Sequence, residues 1–398
     1  MKNFSAKLFL EINELSYIFY VGEVNENNNL RVISELEIPA SIDEDNRISN
    51  LENTFKVIKE NIYSIEQKLN YTFKEVILIL DNFNPSFISL TGFKKLNSSQ
   101  VSRENITYIL NILKSRINEI EIKKTVLHIF NSKFYLDNKE IENLPIGLFG
   151  DFYSHELSFT LVNTNDYKNL KNIFDKCSLN IKKILVKSFV KGVNISENYK
   201  NSNTFFHIKI NEKNSKIFYF ENNCLKSEQK FKFGTDIIIR DISKITALKT
   251  DTVKNILNKI ELTENISEDE LVEKNLFINN DYRKIKKKLI YEIILARVKE
   301  IFELILFKNI NFKYYRLISK NIFIEIDQKR EFKCFREIYK ITFSTNSNFN
   351  LKFLEGLASE SILNSINKLA HFGWKKEAIP VAQPKKSLLA RFFEAIFN

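Results

Sequence analysis

Six large apolar side chains near the end of the chain could do chemistry at a lipid surface. Placed on a helix at ~100° per residue, Leu388, Leu389, Phe392, Phe393, Ile396 and Phe397 of KKSLLARFFEAIFN (385–398) fall within an arc of roughly 140°. Arg391, Glu394 and Ser387 lie opposite, and Lys385 and Lys386 stand at the N-terminal approach. Such a face with basic flanks suits interfacial insertion at an anionic membrane. Each apolar side chain contributes up to ~1.5–3 kcal/mol when fully buried, and each cation about 1 kcal/mol at an anionic leaflet. Against this stands the cost of folding a short helix that is marginal in water. One copy is expected to bind reversibly and linked copies firmly, so self-association is expected. The alternative is a last helix packed on its own core. The stretch before it, EAIPVAQPKK, carries Pro380 and Pro384 and reads as a hinge or linker.

Other chemistries find less material. Cys177, Cys224 and Cys334 are isolated and there are four histidines, so neither a disulfide framework nor a zinc spacing exists. His128 in an apolar strand and His371 near a helix end read as core or boundary residues, and Asp81 after VILIL as a strand-end turn residue. The eight glycines compare with an average usage of about 7%, and only Gly147 and Gly150 lie near each other. Neither G-x-G-x-x-G nor G-x-x-x-x-G-K-[ST] occurs, so a glycine-built phosphate cradle is absent. The net charge of +11 is scattered, and only RKIKKK (283–288) clusters. That cluster reads as a solvated helix face, and no nucleic-acid partner is expected. No apolar run approaches 18 residues, and MKNFSAKLFLEINELSYIF meets acidic residues too early for a signal peptide, so a cytoplasmic protein is expected.

The elements that must position these residues repeat. AKLFLEINELSYIFYVGEVNENNNLRVISELEIP (6–39) and FFHIKINEKNSKIFYFENNCLKSEQKFKFG (205–234) each read as three strands joined by polar turns. The first turn recurs, as Ile12-Asn13-Glu14 and Ile210-Asn211-Glu212. A helix at 53–70 leads into a strand at 74–82. Residues 236–262 precede a long amphipathic helix at 289–307. Between the halves, residues 83–162 hold a helix (101–117) and two strands (125–130 and 156–162). An α/β fold with a duplicated meander is the layout of the actin, sugar kinase and heat-shock ATPase superfamily.

Within that superfamily the chain resembles FtsA, the actin-like protein of bacterial cell division. VLHIFNSKFYLDNKEIENLPIGLFG (126–150) carries Tyr135, Asp137, Asn143, Pro145, Gly147 and Gly150 in the pattern of that family's inserted subdomain, with Leu144 interrupting it. KNLKNIFDKCSLNIKKILVKSFVKG (168–192) resembles the helix and strand returning to the first domain. FGTDIIIRDISKITALKTDTVKNIL (233–257) resembles a Gly, apolar strand, Asp-Ile and helix sequence. INKLAHFGW (366–374) and the basic tail resemble the family's ending. The resemblance implies an actin-like, ribonuclease H-like duplicated fold with an inserted αβ subdomain and a C-terminal amphipathic helix. Its implied domains are 1–82 plus 163–200, the insert 83–162, a second domain 201–378 with a helical subdomain at 236–310, a linker 379–387 and the tail 385–398.

It further implies a scaffold on the cytoplasmic side of the inner membrane at the division site, holding the C-terminal peptide of FtsZ and meeting other divisome proteins. The peptide would be held within 236–310, where Arg283, Lys284, Lys286 and Lys287 could meet a carboxylate-ended peptide. The nucleotide loops depart from the family. Its first phosphate loop, acidic-apolar-Gly-Thr/Ser, is here Glu11-Ile12-Asn13-Glu14. Its second, Asp-apolar-Gly-Gly-Gly-Thr, is Lys209-Ile210-Asn211-Glu212-Lys213-Asn214, and its adenosine-side Gly-Gly is replaced within FIEIDQKR (323–330). The helix that offers Glu-x-x-Lys to the nucleoside offers Lys254 and Leu257. Close backbone approach to phosphate favours glycine, Glu14 and Glu212 bring like charge, and Lys209 replaces the aspartate that orients magnesium-bound water. A degenerate site without bound ATP or Mg²⁺ and without catalysis is therefore expected. The rival readings are an active ATPase with unusual loops and an actin-fold adaptor of the PilM kind.

Overall fold

Period-two apolar stretches at the N-terminus form β1 (Ala6–Ile12), β2 (Ser16–Val24) and β3 (Leu30–Pro39), an antiparallel meander. The computed structural model describes residues 6–25, 29–40, 48, 50–81, 83–263, 265–278, 280–326, 333–345, 349–354 and 359–380. The tail 385–398, and with it the whole candidate membrane face, lies outside the described residues. Helix α1 (Leu51–Leu69) is started by Asn50, whose side chain accepts from Asn53 N, and stopped by Asn70 at φ 48°. It buries Thr54, Ile58, Ile62 and Ile65 and carries the chain to β4 (Glu75–Leu80), parallel to β1.

The insert follows as β5 (Ser86–Gln100), α2 (Arg103–Ile120), β6 (Lys124–Leu136), β7 (Lys139–Ile141) and β8 (Phe149–Asn163). Ser102 and Asn105 cap α2 reciprocally. Its buried face (Ile109, Leu110, Leu113, Ile117) meets Tyr153, Leu157, Phe159 and Leu161 on the sheet. This sheet is larger than the two strands and helix expected. β5 escapes the pattern because Lys94, Lys95, Asn97, Ser98 and Ser99 load an exposed edge strand with polar residues. Helix α3 (Thr164–Lys176), β9 (Asn180–Val186) and α4 (Lys187–Asn198) return the chain, with β9 parallel to β4. The order of the first sheet is β3-β2-β1-β4-β9.

A second meander, β10 (Phe205–Ile210), β11 (Ser215–Glu221) and β12 (Cys224–Phe231), precedes four helices, α5 (Asp236–Thr246), α6 (Thr250–Lys259), α7 (Lys287–Phe302) and α8 (Tyr315–Ile318). β13 (Asn321–Ile326), α9 (Lys333–Thr345) and β14 (Asn350–Phe353) complete it. The order β12-β11-β10-β13-β14, with β10 and β13 parallel, repeats the first sheet strand for strand. This is the duplication of an actin-like fold. One expected strand is corrected here. DIIIR opens α5, because Ile238, Ile239, Ile242 and Thr246 are buried at helical spacing, and three consecutive isoleucines do not distinguish the two periods.

The last described elements, α10 (Ser359–Phe372) and β15 (Glu377–Pro380), do not stay with the second half. The chain divides into one unit of residues 202–220 and 227–356 and another holding the rest, including the 221–226 turn and the described residues after 357. The expected second domain at 201–378 therefore ends earlier. Asn194 Nδ2 on α4 donates to Ser361 Oγ (3.2 Å) and Ser365 Oγ (3.1 Å), and Lys7 Nζ on β1 donates to Asn367 Oδ1 (2.8 Å). The linker expected from 379 also begins later, since β15 pairs with β6 in the insert sheet, ordered β15-β6-β8-β5 with β7 on β6. Pro380 fits there because a strand-end edge position needs no N–H.

His155 on β8 is buried, its ring 4.8 Å from Phe134, and neither ring nitrogen has a hydrogen-bond partner. Burial pulls its pKa down to about 4 against the opposing pull of Glu156. The unfolded chain therefore takes up a proton near pH 6.5 that the folded chain refuses until about pH 4. Stability should fall as pH drops through that window, by up to ~1.4 kcal/mol per pH unit from this group. Denaturant unfolding between pH 4.5 and 7 should show a pH slope that shrinks in His155→Phe, and an unchanged slope would contradict this.

Candidate functional site

The C-terminal ends of β1, β4 and β9 lie side by side, and each has a charged residue within one position of its end. Glu11 is nearly buried at the end of β1, Asp81 follows β4, and Lys187 opens α4 immediately after β9. Carboxyl ends of parallel strands are where open α/β sheets place ligand-binding groups. Here the charges meet one another. Lys187 Nζ donates to Glu11 Oε1 and lies 3.7 Å from Asp81 Oδ2, and Asp81 N donates to Ile12 O at 2.9 Å. A lysine thus supplies the positive charge that this carboxylate pair requires. Asp81 is a strand-end residue, as its position after VILIL suggested, and it is also an ion-pair partner.

Beside this pair sits the first candidate loop. Asn13 Oδ1 accepts from Leu15 N (2.9 Å) and Ser16 N (2.8 Å), and Asn13 N donates to Ser16 O (3.1 Å). Asn13 Nδ2 reaches Ser16 Oγ, and Ser16 Oγ lies 2.7 Å from Glu37 Oε1. The side chain therefore takes up N–H groups that a glycine loop would turn toward phosphate. Glu14 is half-buried in the same turn.

The second unit repeats the backbone closure but not the side-chain acceptor. Asn211 N donates to Asn214 O (2.9 Å), and Asn211 Nδ2 donates to Asn214 Oδ1 (2.7 Å). Thr235 N donates to Asn211 O (3.0 Å) and Asp236 N to Glu212 O (2.9 Å), so N–H groups at the start of α5 are spent on the turn. A Cβ on Gly234 would stand 2.2 Å from Asn211 O, which explains this glycine by close backbone packing. Lys209 is paired in register with Glu325 of β13, Lys213 belongs to the turn, and Leu257 is core. Lys254 is partly buried on α6. Of FIEIDQKR, residues 323–326 lie in β13 and the rest lie outside the described residues.

The basic cluster is largely met by acids within the chain. Lys286 lies 3.7 Å from Asp269, Lys287 pairs with Glu270, and Lys288 Nζ is 2.6 Å from Glu268. Arg283 Nη1 donates to Thr246 O at 3.4 Å, and Lys284 is exposed. His128 is buried in β6, as its apolar strand suggested, and His371 is exposed on α10. Burial pushes the Cys224 thiol up to about 12. Among the described residues, no group of three His, Cys, Asp or Glu side chains is placed to hold a metal ion. Also among them, no helix is long and apolar enough to cross a membrane.

Comparison with known proteins places this geometry. No family model matches the chain. It is 21% identical over 308 residues to the cell division protein FtsA of Buchnera aphidicola subsp. Schizaphis graminum, covering 76% of this chain and 73% of that protein. To FtsA of Buchnera aphidicola subsp. Acyrthosiphon pisum it is 20% identical over 407 residues, covering 98% and 95%. A PilM–PilN type IV pilus biogenesis complex matches in structure with a TM-score of 0.53 at 10% identity, covering 95% of this chain and 99% of that one. The chain has an actin-like fold and is FtsA-like in sequence over nearly its whole length.

Lys187→Met removes the ammonium that meets the nearly buried Glu11. Denaturant unfolding should show a loss of about 3 kcal/mol. Adding Glu11→Gln should recover part of it. Equal losses in the single and double variants would show that Lys187 acts by packing alone.

Proposed function

We propose that this protein is a division scaffold that tethers FtsZ filaments to the cytoplasmic face of the inner membrane, with a nucleotide site that no longer works. The observation that carries the reading is the ordered similarity to FtsA over 98% of this chain. The duplicated fold with an insert between β4 and α3 is consistent with it. The tether itself is assigned to residues 385–398, where Leu388, Leu389, Phe392, Phe393, Ile396 and Phe397 form the apolar face behind Lys385 and Lys386.

The silent site rests on the two asparagine turns. The residues present do not fit a magnesium–nucleoside triphosphate. Asn13 consumes the N–H groups of the first loop, the second spends donors of α5 on its own carbonyls, and Lys187 neutralises Glu11. No catalytic step is assigned to this chain. FtsZ's C-terminal peptide, other divisome proteins and further copies of the chain are its proposed partners. Arg283 and Lys284, which meet no carboxylate among the described residues, are the portion of the basic cluster left for an acidic peptide end.

Co-sedimentation with anionic liposomes tests the whole reading. Full-length protein should bring FtsZ down with the liposomes, with or without Mg·ATP, and protein truncated after Pro384 should not. Phe392→Glu and Phe393→Glu should each abolish liposome binding without unfolding the body. FtsZ recruitment only with Mg·ATP would overturn the silent site and leave the tether. Liposome binding without FtsZ would favour the adaptor role of a PilM-like actin fold.

A further inference from the structure

The carboxylate of Glu377 is 3% exposed, although it belongs to a four-residue strand at the end of the described chain. Lys183 Nζ on β9 approaches Glu377 Oε2 at 2.8 Å and also donates to Leu369 O at the end of α10 (3.1 Å). His128 Nδ1 on β6 lies 3.4 Å from Glu377 Oε1, its ring held against Phe130 and Phe189. Two strands distant in sequence, β9 and β6, therefore converge on one acid.

The backbone around it is thinly held. β15 pairs with β6 only at Glu377–Phe130, Ile379–Ile129 and Pro380–His128, and its register shifts between Glu377 and Ile379. Asn131 N donates to Lys376 O (2.6 Å) and Glu377 N to Trp374 O (2.8 Å). Trp374 Nε1 donates to Asn223 O at 3.2 Å. Upstream, Gly373 stands at φ +71° with its N–H on Leu369 O, which closes α10 and provides a joint. A strand this short, with this few ladder bonds, is marginal on its own. The buried charge is what distinguishes it from a frayed end.

We propose that Glu377 is a releasable latch, a positioning residue that pins the root of the C-terminal segment to β9 through Lys183 and to the insert through His128. Latched, the stretch between Pro380 and Lys385 is four residues, Val381 to Pro384, and can span at most ~14 Å. Released back to Gly373, it is eleven residues, Trp374 to Pro384, and spans at most ~40 Å. The latch thus sets how far residues 385–398 reach from the body. Its existence is independent of what those residues bind, and only the consequence for a membrane rests on the proposed function.

Trypsin reads the latch directly, because Lys375 and Lys376 lie at its edge and Lys385, Lys386 and Arg391 lie beyond it. Native full-length protein should be trimmed quickly after Lys385 and Lys386 and only slowly after Lys375 and Lys376. In Glu377→Gln the cuts after Lys375 and Lys376 should accelerate about a hundredfold, while amide exchange in α10 and β9 stays protected. An unchanged cutting rate would overturn the proposal. If Glu377→Gln loses protection throughout, exchange in the native protein decides the matter. Amides of residues 376–379 and Asn131 opening ahead of α10 support a latch that releases. Opening only together with α10 makes β15 an integral part of the core and overturns it. Neither readout involves liposomes or FtsZ, so failure here is distinct from failure of the tether.

Discussion

A parallel neighbour cannot be reached by a hairpin, and that constraint orders both halves of this chain. β1 meets β2 through a short turn, but reaching its other neighbour, β4, in the same direction requires the crossover through α1. The step from β4 to its own parallel neighbour β9 is longer still, and the insert is accommodated within it. The second unit solves the same problem between β10 and β13 with the helices α5 to α8. Because parallel strands present their carboxyl ends together, Glu11, Asp81 and Lys187 arrive at one edge from three separate stretches of sequence.

In each unit the turn after the meander's first strand is built on an asparagine in place of glycine. A loop built from glycine leaves its N–H groups pointing outward for an anion. A loop built on asparagine offers them an oxygen from its own side chain. Asn13 does for Leu15 and Ser16 what a ligand oxygen would do elsewhere. Asn211 closes its turn with the same backbone bond, from its own N–H to the carbonyl three residues on. Agreement between two turns about 200 residues apart reaches below strand order, to individual hydrogen bonds.

Much of this was legible in the sequence, and the reasons for the rest are specific. The meanders announce themselves because apolar residues alternate between polar turns, and the Asn-Glu pair marks the equivalent corner in each. α5 was obscured because Ile237, Ile238 and Ile239 satisfy either period, and only its buried set at Ile238 and Ile242 decides for helix. β15 was hidden because a proline and small residues describe an edge strand's end as well as a linker. Lys187 carried one usable signal, a lysine directly after the apolar strand IKKILV. Its partner lies 176 positions away, and no local pattern reveals such a pairing. The same holds for Glu377, whose partners lie 194 and 249 positions off. Long-range ion pairs leave no periodicity.

The attachment of β15 also has a mechanical meaning. A force applied beyond Pro380 enters the body through three backbone pairings on β6 and one buried carboxylate, before any load reaches α10. If the proposed latch releases, that junction yields before the sheets behind it and lengthens the chain beyond the body. A tug on the C-terminus is then absorbed as slack, and the two five-stranded sheets of the duplicated fold are spared the strain.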